Sequence, residues 1–354
     1  MPEETTSGGN RRTYSSFHFP RLVLFLPQRN SESSFPPPKS PQPCSFLPHP
    51  KLTSATKTNP PTHSPPLVNP FNRRDTHSDQ TILLYKITTA LSYVIFVITA
   101  IYYTFNRPHD GHNQRFNRTI WEQNTNTAFA QNHIVTSVYW IVTLILQGYY
   151  LFTFYKPATS AHLAAAANLA PHFIASNLLL FGFINLWVRS HFWLALLLLI
   201  INFFNLSFAY FRNSTTPLLI HTSVLSAPLA WAFVSLYWAG ARAFVTTEHA
   251  NNLAARIVGN IFIWGILAYG AFFLVTFKDA TIGLALSVLA FSTGAGQFLT
   301  KLPIFQLQWI FSFTIGALLF FWSVATATGK DPIDRGIIVS EDRERAPLLA
   351  DDNV

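Results

Sequence analysis

The chain has 354 residues, and its 24 basic and 16 acidic side chains make up only 11% of the total, against roughly 25% in soluble domains. Hydrophobic residues reach 49%, so the composition predicts a membrane protein. The single cysteine, Cys44, excludes a disulfide framework, a CxxC redox pair and a cysteine-based zinc site. The formal net charge of +8 lies mostly in flanks and short loops. That placement favours contact with anionic lipid headgroups over nucleic acid.

The first 80 residues differ in composition from the rest of the chain. They hold 15 of the 23 prolines, together with many Ser, Thr, Asn and Gln residues, and this composition predicts a disordered tail at 1–80. The apolar run from Leu22 to Leu26 is shorter than a secretory signal requires. Four arginines between residues 11 and 29 leave a mitochondrial presequence as an alternative, although Glu3 and Glu4 oppose it.

From residue 81 the chain consists of apolar runs long enough to cross a bilayer as helices. We predict eight spans within a transmembrane domain at 81–329. The fold class is therefore all-α, a polytopic membrane helix bundle, because the runs lack the period-two alternation of a β-barrel. The predicted spans are 81–105, 134–155, 172–188, 191–211, 217–238, 257–277, 281–299 and 305–327.

The orientation of the bundle is only weakly determined by charge. Lys and Arg residues in the two sets of flanks balance, and Lys86 tips the comparison towards both termini in the cytosol. The sequon Asn117-Arg118-Thr119 in the first long loop would then face the lumen, so Asn117 is a candidate glycosylation site.

The C-terminal tail at 330–354 is short and acidic. Glu344 lies four residues before the pair Leu348 and Leu349, a pattern that resembles an acidic dileucine sorting signal. Such a signal binds a clathrin adaptor and requires a flexible cytosolic tail. We therefore expect the vacuolar or late endosomal membrane, with another endomembrane or the plasma membrane as the alternative.

The 81–329 region contains few acidic residues, and the polar groups inside its spans are mainly side-chain amides. The four acidic residues of the 81–329 region, Asp110, Glu122, Glu248 and Asp279, fall in predicted loops, which opposes an ion-coupled carrier. Asn177 and Asn202 lie at about the same depth on either side of the Arg189-Ser190 turn. We predict an interhelical hydrogen bond between them that fixes packing.

Several residues in the spans predict packing features. Ser292 and Gly296, spaced four apart, predict a close helix contact, and Pro228 predicts a kink in the fifth helix. Trp187, Trp193 and Trp238 are expected in an aromatic belt at the membrane interface.

An enzymatic site is not indicated by the sequence. His109, Asp110 and His112 could hold zinc with His133, but a His pair in such a loop is common. No nucleophile with a suitably spaced base is found. We therefore predict no catalytic residue, no metal site and no cofactor.

Separated segments of the chain resemble a fungal multi-pass membrane protein family, domain of unknown function 1774. They are Asn69-Pro70-Phe71-Asn72-Arg73-Arg74, Ile101-Tyr102-Tyr103, Arg107-Pro108-His109-Asp110-Gly111, and residues 186–193, 200–206 and 296–301. The resemblance covers roughly residues 69–325. It implies an integral membrane protein and carries no reaction, ligand or catalytic residue.

The resulting functional hypothesis is a non-enzymatic endomembrane protein that organises the membrane or binds partners. Its expected partners are membrane lipids and a clathrin adaptor, with no nucleic acid. The alternative is a transporter or channel for a neutral or weakly polar solute. The substrate and the oligomeric state are left open.

Overall fold

The computed structural model describes residues 71, 74, 77–110, 117–124, 129–157, 161–213, 216–244, 253–300 and 307–329. Within these residues the regular elements are helices, and eight of the helices are long and apolar enough to cross a membrane. The predicted all-α bundle with eight spans is confirmed, and the chain is a membrane protein. Residues 1–70 and 330–354 lie outside the described residues, and with them the predicted sorting signal Glu344, Leu348 and Leu349.

The eight helices follow the chain in order with mostly short connections. A single 3-10 turn, Glu122–Asn124, lies in the loop between the first two helices. The helices are α1 Asp79–Phe105, α2 His133–Thr153, α3 Ala161–Val188, α4 Phe192–Arg212, α5 Leu218–Phe244, α6 in two segments Leu253–Phe262 and Trp264–Thr276, α7 Ala280–Thr300 and α8 Gln308–Ala327.

Polar residues placed just before apolar runs determine where helices begin. The Ser78 hydroxyl accepts from Thr81 N at 3.3 Å, and Asn132 Oδ1 accepts from Ile134 N at 3.0 Å and from Val135 N at 3.1 Å. These side chains satisfy backbone N–H groups that have no partner in the first helical turn. Residues such as Ser and Asn before an apolar run are therefore start signals.

The third helix begins earlier than predicted. It runs from Ala161 through the Ala-rich stretch and contains Pro171, whereas the sequence predicted a start at His172. Proline normally ends a helix because it lacks an N–H, but membrane helices tolerate it where neighbouring helices supply compensating contacts. Alanine has the highest helix propensity, so the stretch before Pro171 stays helical.

The fifth helix contains a π-helical turn, Thr222–Ser226. Ala227 N donates to Thr222 O, five residues earlier, directly before Pro228. A proline ring clashes with the carbonyl four residues back in a regular α-helix, and a π turn relieves that clash. The predicted perturbation at Pro228 thus takes the form of a widened turn.

The two ends of the bundle are defined by the segments they carry. The loop end carries the described residues 106–110, 117–124 and 129–132 and the tight turn at Arg189 and Ser190, where Ser190 has φ 64°. The Asp279 end carries the connection between α6 and α7. Glycines allow α7 and α8 to pack closely. A Cβ on Gly294 would lie 3.2 Å from the Phe313 ring, and a Cβ on Gly316 would lie 3.0 Å from the Phe291 ring.

Candidate functional site: a cavity at the loop end

A cavity of about 250 Å³ lies among α1, α2, α3 and α5 in the half of the bundle nearest the loop end. Its wall is mainly apolar and rich in aromatic residues, which include Phe96, Trp140, Phe183, Trp231 and Trp238. The Trp140 and Trp231 rings meet edge to face at a centroid distance of 5.0 Å. Rigid aromatic walls of this kind are typical of sites for apolar ligands.

The exposed residues of the cavity lining lie on α1 and α2, which indicates that the cavity opens sideways between these two helices. Tyr93 OH donates to Leu144 O at 2.9 Å and holds the two helices together near their middles. Above this bond the lining includes Ile101, Phe105 and Ile141, whose exposed fractions are 56%, 77% and 56%. Exposed apolar residues on a membrane-spanning helix face hydrocarbon, so the opening faces the lipid.

Two residues that line the cavity each carry a buried side-chain N–H group without a hydrogen-bond partner. The two groups are Gln131 Nε2 and Trp238 Nε1, and both residues are 3% exposed. Thr136 Oγ1 donates to Gln131 Oε1 at 2.9 Å and thereby orients the amide. A buried unpaired donor costs about 1–3 kcal/mol, so such a group calls for a structural or functional explanation.

Trp187 and Trp238 do not form the predicted aromatic belt. Their exposed fractions are 0% and 3%, and their ring centroids lie 4.3 Å apart. Trp187 Nε1 donates to Ile120 O at 3.2 Å, which ties α3 to the loop. Belt residues sit at the interface with one edge in water, whereas these two rings are part of the core at the loop end.

The loop above the cavity is held by two ion pairs. Arg107 forms a bidentate pair with Glu122, including Nε to Oε2 at 2.8 Å, and Arg189 Nη2 lies 2.7 Å from Asp110 Oδ2. The hydrogen bond from Arg107 lowers the pKa of Glu122 to about 2, and the hydrogen bond from Arg189 lowers the pKa of Asp110. Asp110 is therefore engaged in an ion pair that stabilises the loop. His112, which belongs to the zinc set considered from the sequence, lies outside the described residues.

Asn117 is part of the same folded loop. Its side-chain nitrogen donates to Pro108 O at 3.0 Å and to Asp110 O at 2.9 Å, and the residue is 8% exposed. A glycan on this nitrogen would replace one of the two N–H donors and would need space that the fold does not leave. Glycosylation of Asn117 stays a prediction, and the folded arrangement opposes it.

A second polar group is buried at the Asp279 end. Asp279 Oδ2 accepts from Tyr210 OH at 2.9 Å and Ser226 Oγ at 2.8 Å, and it lies 3.4 Å from His221 Nε2. Asp279 Oδ1 accepts from Thr281 N at 2.8 Å and Thr281 Oγ1 at 2.6 Å. These contacts join the end of α4, the π turn of α5 and the start of α7.

The charge of Asp279 is stabilised by its neighbours. Burial by itself would raise the pKa of this carboxyl, but the hydrogen bond and proximity of His221, with the hydroxyls of Thr281 and Ser226, outweigh it and lower the pKa. The sequence placed Asp279 in a loop and gave no reason to expect its burial. The available signal was an aspartate two residues before a threonine at the start of an apolar run, which is typical of a helix cap.

The predicted hydrogen bond between Asn177 and Asn202 is wrong. Asn177 Nδ2 points to Ser92 Oγ on α1 at 3.5 Å, while both amide atoms of Asn202 are buried without a partner. The bond between α3 and α4 forms instead at His172 and Asn205, with Nδ1 to Oδ1 at 2.9 Å and Asn205 Nδ2 to His172 O at 3.0 Å.

Rotation about the helix axis explains this error. Five residues separate His172 from Asn177, and at about 100° per residue they correspond to about 140° around α3. When His172 faces α4, Asn177 must point elsewhere, and it faces α1. Equal depth in the membrane is therefore insufficient to place two side chains in contact.

The comparisons with known proteins agree with the sequence-based resemblance. Residues 256–349 match the model of a family described as fungal protein of unknown function (DUF1774), which confirms the resemblance over those residues. The chain is also similar to an uncharacterised protein of Schizosaccharomyces pombe, with 29% identity over 129 residues, or 36% of this chain and 46% of the relative. The alignment thus spans about half the length of that relative. No solved structure matches the chain.

Proposed function

We propose that the protein is a non-enzymatic membrane protein that binds the hydrocarbon chain of a lipid in the cavity at the loop end, and so organises lipid within its membrane. The observation that carries this proposal is the lateral opening between α1 and α2, rimmed by exposed Ile101, Phe105 and Ile141. A lipid chain can enter such an opening without leaving the hydrocarbon phase. An aqueous ligand would have to cross apolar surface first.

The size and depth of the cavity agree with one chain. From Phe105 to Phe96 the lining descends nine residues, or about 13 Å along α1. The volume of about 250 Å³ lies below the roughly 300–1,000 Å³ of sites for drug-sized ligands. The lining stops at Phe96 and Leu144, near the middles of their helices, which supports binding rather than passage of a solute through the bundle.

A cavity-filling variant tests the proposal directly. Ala100 lines the cavity, whereas Ala90 on the same helix is exposed. We expect Ala100→Phe to reduce the binding of a lipid with a brominated acyl chain at least about tenfold, because the new ring occupies the site. Binding is measured in detergent as quenching of tryptophan fluorescence. Ala90→Phe, the matched control, should bind as the wild type does. Equal binding by Ala100→Phe and the wild type would refute the proposal.

The proposal also includes the membrane in which the protein resides. The protein resides in the vacuolar or late endosomal membrane with both termini in the cytosol, and Glu344, Leu348 and Leu349 recruit a clathrin adaptor. The support is the spacing of these residues in the acidic tail. Leu348→Ala combined with Leu349→Ala should redistribute a fluorescently tagged protein to other membranes. An unchanged distribution would remove the sorting signal from the proposal.

A further inference from the structure

The unpaired polar groups of the cavity share one chemistry. Among the described lining residues, the buried side-chain atoms without a hydrogen-bond partner are the two N–H donors Gln131 Nε2 and Trp238 Nε1. Neither group can accept a hydrogen bond in these positions. A ligand that satisfies them must therefore present an acceptor oxygen.

Gln131 is held in place independently of any ligand. Its backbone N donates to Asn124 Oδ1 at 3.1 Å, and its backbone O accepts from Asn124 Nδ2 at 2.5 Å. Thr136 Oγ1 donates a hydrogen bond to the side-chain oxygen of Gln131. The free N–H group is thus preorganised, which reduces the entropy lost when a ligand binds.

The two donors lie towards the membrane surface, and the apolar wall extends below them. Gln131 lies two residues before the start of α2 and Trp238 lies in the last two turns of α5, whereas Phe96 and Leu144 lie deeper. An acyl lipid in a bilayer has the same order, with its ester carbonyl near the interface and its chain in the hydrocarbon. The site and this ligand therefore match in polarity along the membrane normal.

The charges around the cavity favour a neutral ligand. None of the described lining residues is charged. The guanidinium groups of Arg107 and Arg189 in the loop above are paired with Glu122 and Asp110. Arg242 follows Trp238 by one turn of α5 and its Nε is buried without a hydrogen-bond partner, but Arg242 is not among the residues that line the cavity. The wall itself therefore provides no counter-charge for an anionic phosphate.

We propose that the cavity binds a neutral acyl ester whose ester carbonyl accepts hydrogen bonds from Gln131 Nε2 and Trp238 Nε1. This inference rests on the proposed function, since it specifies the lipid that the cavity binds. The bonds distinguish an acyl ester from an alkyl ether of the same length, which lacks the carbonyl.

A matched pair of probes tests the ester carbonyl. The probes are a monoacylglycerol with a brominated chain and the corresponding monoalkyl glycerol ether, each titrated into the purified full-length protein in detergent. We expect the wild type to bind the ester about tenfold more tightly than the ether, as two hydrogen bonds to a buried carbonyl require. Equal affinities, or no binding of the ester, would overturn the inference.

Two substitutions assign the preference to the donors. Trp238→Phe keeps an aromatic ring and removes the N–H, and Gln131→Leu removes the amide. Each should weaken the ester about threefold to fivefold and leave the ether unchanged. Unchanged ether binding also shows that the variant is folded. If both probes weaken alike, the residues shape the cavity and do not recognise the carbonyl.

The controls are chemically identical substitutions outside the cavity. Trp309→Phe changes a tryptophan that packs against Phe298 and Phe313, and Gln147→Leu changes a buried glutamine that does not line the site. Both should retain the wild-type preference. Loss of the preference in these variants would contradict the assignment to Gln131 and Trp238. If both probes bind with equal affinity and Ala100→Phe abolishes this binding, recognition of the ester carbonyl is refuted but lipid binding in the cavity is not. Persistence of lipid binding in Ala100→Phe would refute the proposed function itself.

Discussion

Two buried polar sites at opposite ends of the bundle differ in their hydrogen bonding. At the Asp279 end, each carboxylate oxygen accepts at least two hydrogen bonds, and His221 bonds Thr216 Oγ1 through its other ring nitrogen at 2.9 Å. At the loop end, Gln131 and Trp238 retain unpaired N–H groups beside a cavity. A satisfied polar group joins helices, whereas an unsatisfied one beside a cavity leaves bonding capacity for a ligand.

This difference assigns different roles to the two ends. The Asp279 cluster connects α4, α5 and α7, and the oxygens of Asp279 are already engaged by their neighbours. The loop end contains open volume, an entrance and free donors. We therefore assign the proposed lipid binding to the loop end and stabilisation of the folded bundle to the Asp279 end. The following variants test that division.

The largest effect is expected from Asp279→Asn. The substitution keeps the shape of the side chain but removes the charge and replaces one acceptor oxygen by an NH2 group, which faces either the hydroxyls of Tyr210 and Ser226 or the donors of Thr281. Two hydrogen bonds to a charged acceptor are thereby lost, at about 1.5–3 kcal/mol each. The free energy of unfolding in detergent measures the loss. Asp110→Asn is the control, because the Asp110 side chain is 63% exposed and an exposed ion pair contributes little to stability. Equal losses in the two variants would contradict the division.

A smaller effect is expected from Gly296→Ala, which sharpens the comparison at the loop end. A Cβ at Gly296 would lie 2.8 Å from Gln131 C and 2.9 Å from Asn132 N, so the backbone that carries Gln131 must shift. We expect a loss of about 1–3 kcal/mol in unfolding free energy, with weaker binding of the ester probe. A Cβ at Gly148 would meet no atom within 4 Å, so Gly148→Ala should be neutral or stabilise by up to about 1 kcal/mol. A neutral Gly296→Ala would show that this contact is loose.

The unpaired amide of Asn202 provides a third test. Asn202→Leu removes two buried atoms that lack partners and should be neutral or stabilise by about 1 kcal/mol. Asn205→Leu breaks both bonds to His172 and should destabilise by about 1 kcal/mol. Denaturation in detergent compares the two variants. The double variant Asn177→Leu with Asn202→Leu should be additive within about 0.5 kcal/mol, and a clear non-additivity would restore the direct pair.

The smallest effect concerns the loop above the cavity and its pH dependence. The pKa of Glu122 is about 2 in the folded protein, below its ordinary value of 4.5. Because the folded state favours the ionised form of Glu122, this carboxylate stabilises the folded protein fully above pH 4.5. The stabilisation is lost as the pH falls towards 2. Solvent exposure limits it to about 1 kcal/mol or less. Melting temperatures between pH 5 and pH 3 should fall less in Glu122→Gln than in the wild type, and identical profiles would show that the pair contributes nothing.

The sequence predicts the fold well because span length and composition are local properties. Eight apolar runs gave eight helices, and the errors lie at boundaries such as Ala161, where the Ala-rich stretch before His172 was left outside the predicted span. The cavity was not predictable, since its wall combines four helices whose rotations are set by packing. Asn177 and Asn202 show the same limit: their depths followed from counting residues, but their directions did not. Asp279 was recognised as a loop acid, while its burial depends on where Tyr210 and His221 lie in space.

The π turn of α5 has a mechanical consequence. It divides one helix into two rods that meet at a seam directly before Pro228. The shorter rod carries His221 and is fixed to Asp279, and the longer rod carries Trp231 and Trp238. A proline has no N–H with which to bind the preceding turn, so the seam resists bending less than a regular helix does. Under the proposed function, a tilt of the longer rod would open the wall of the cavity to a lipid chain while the anchor at Asp279 stays intact.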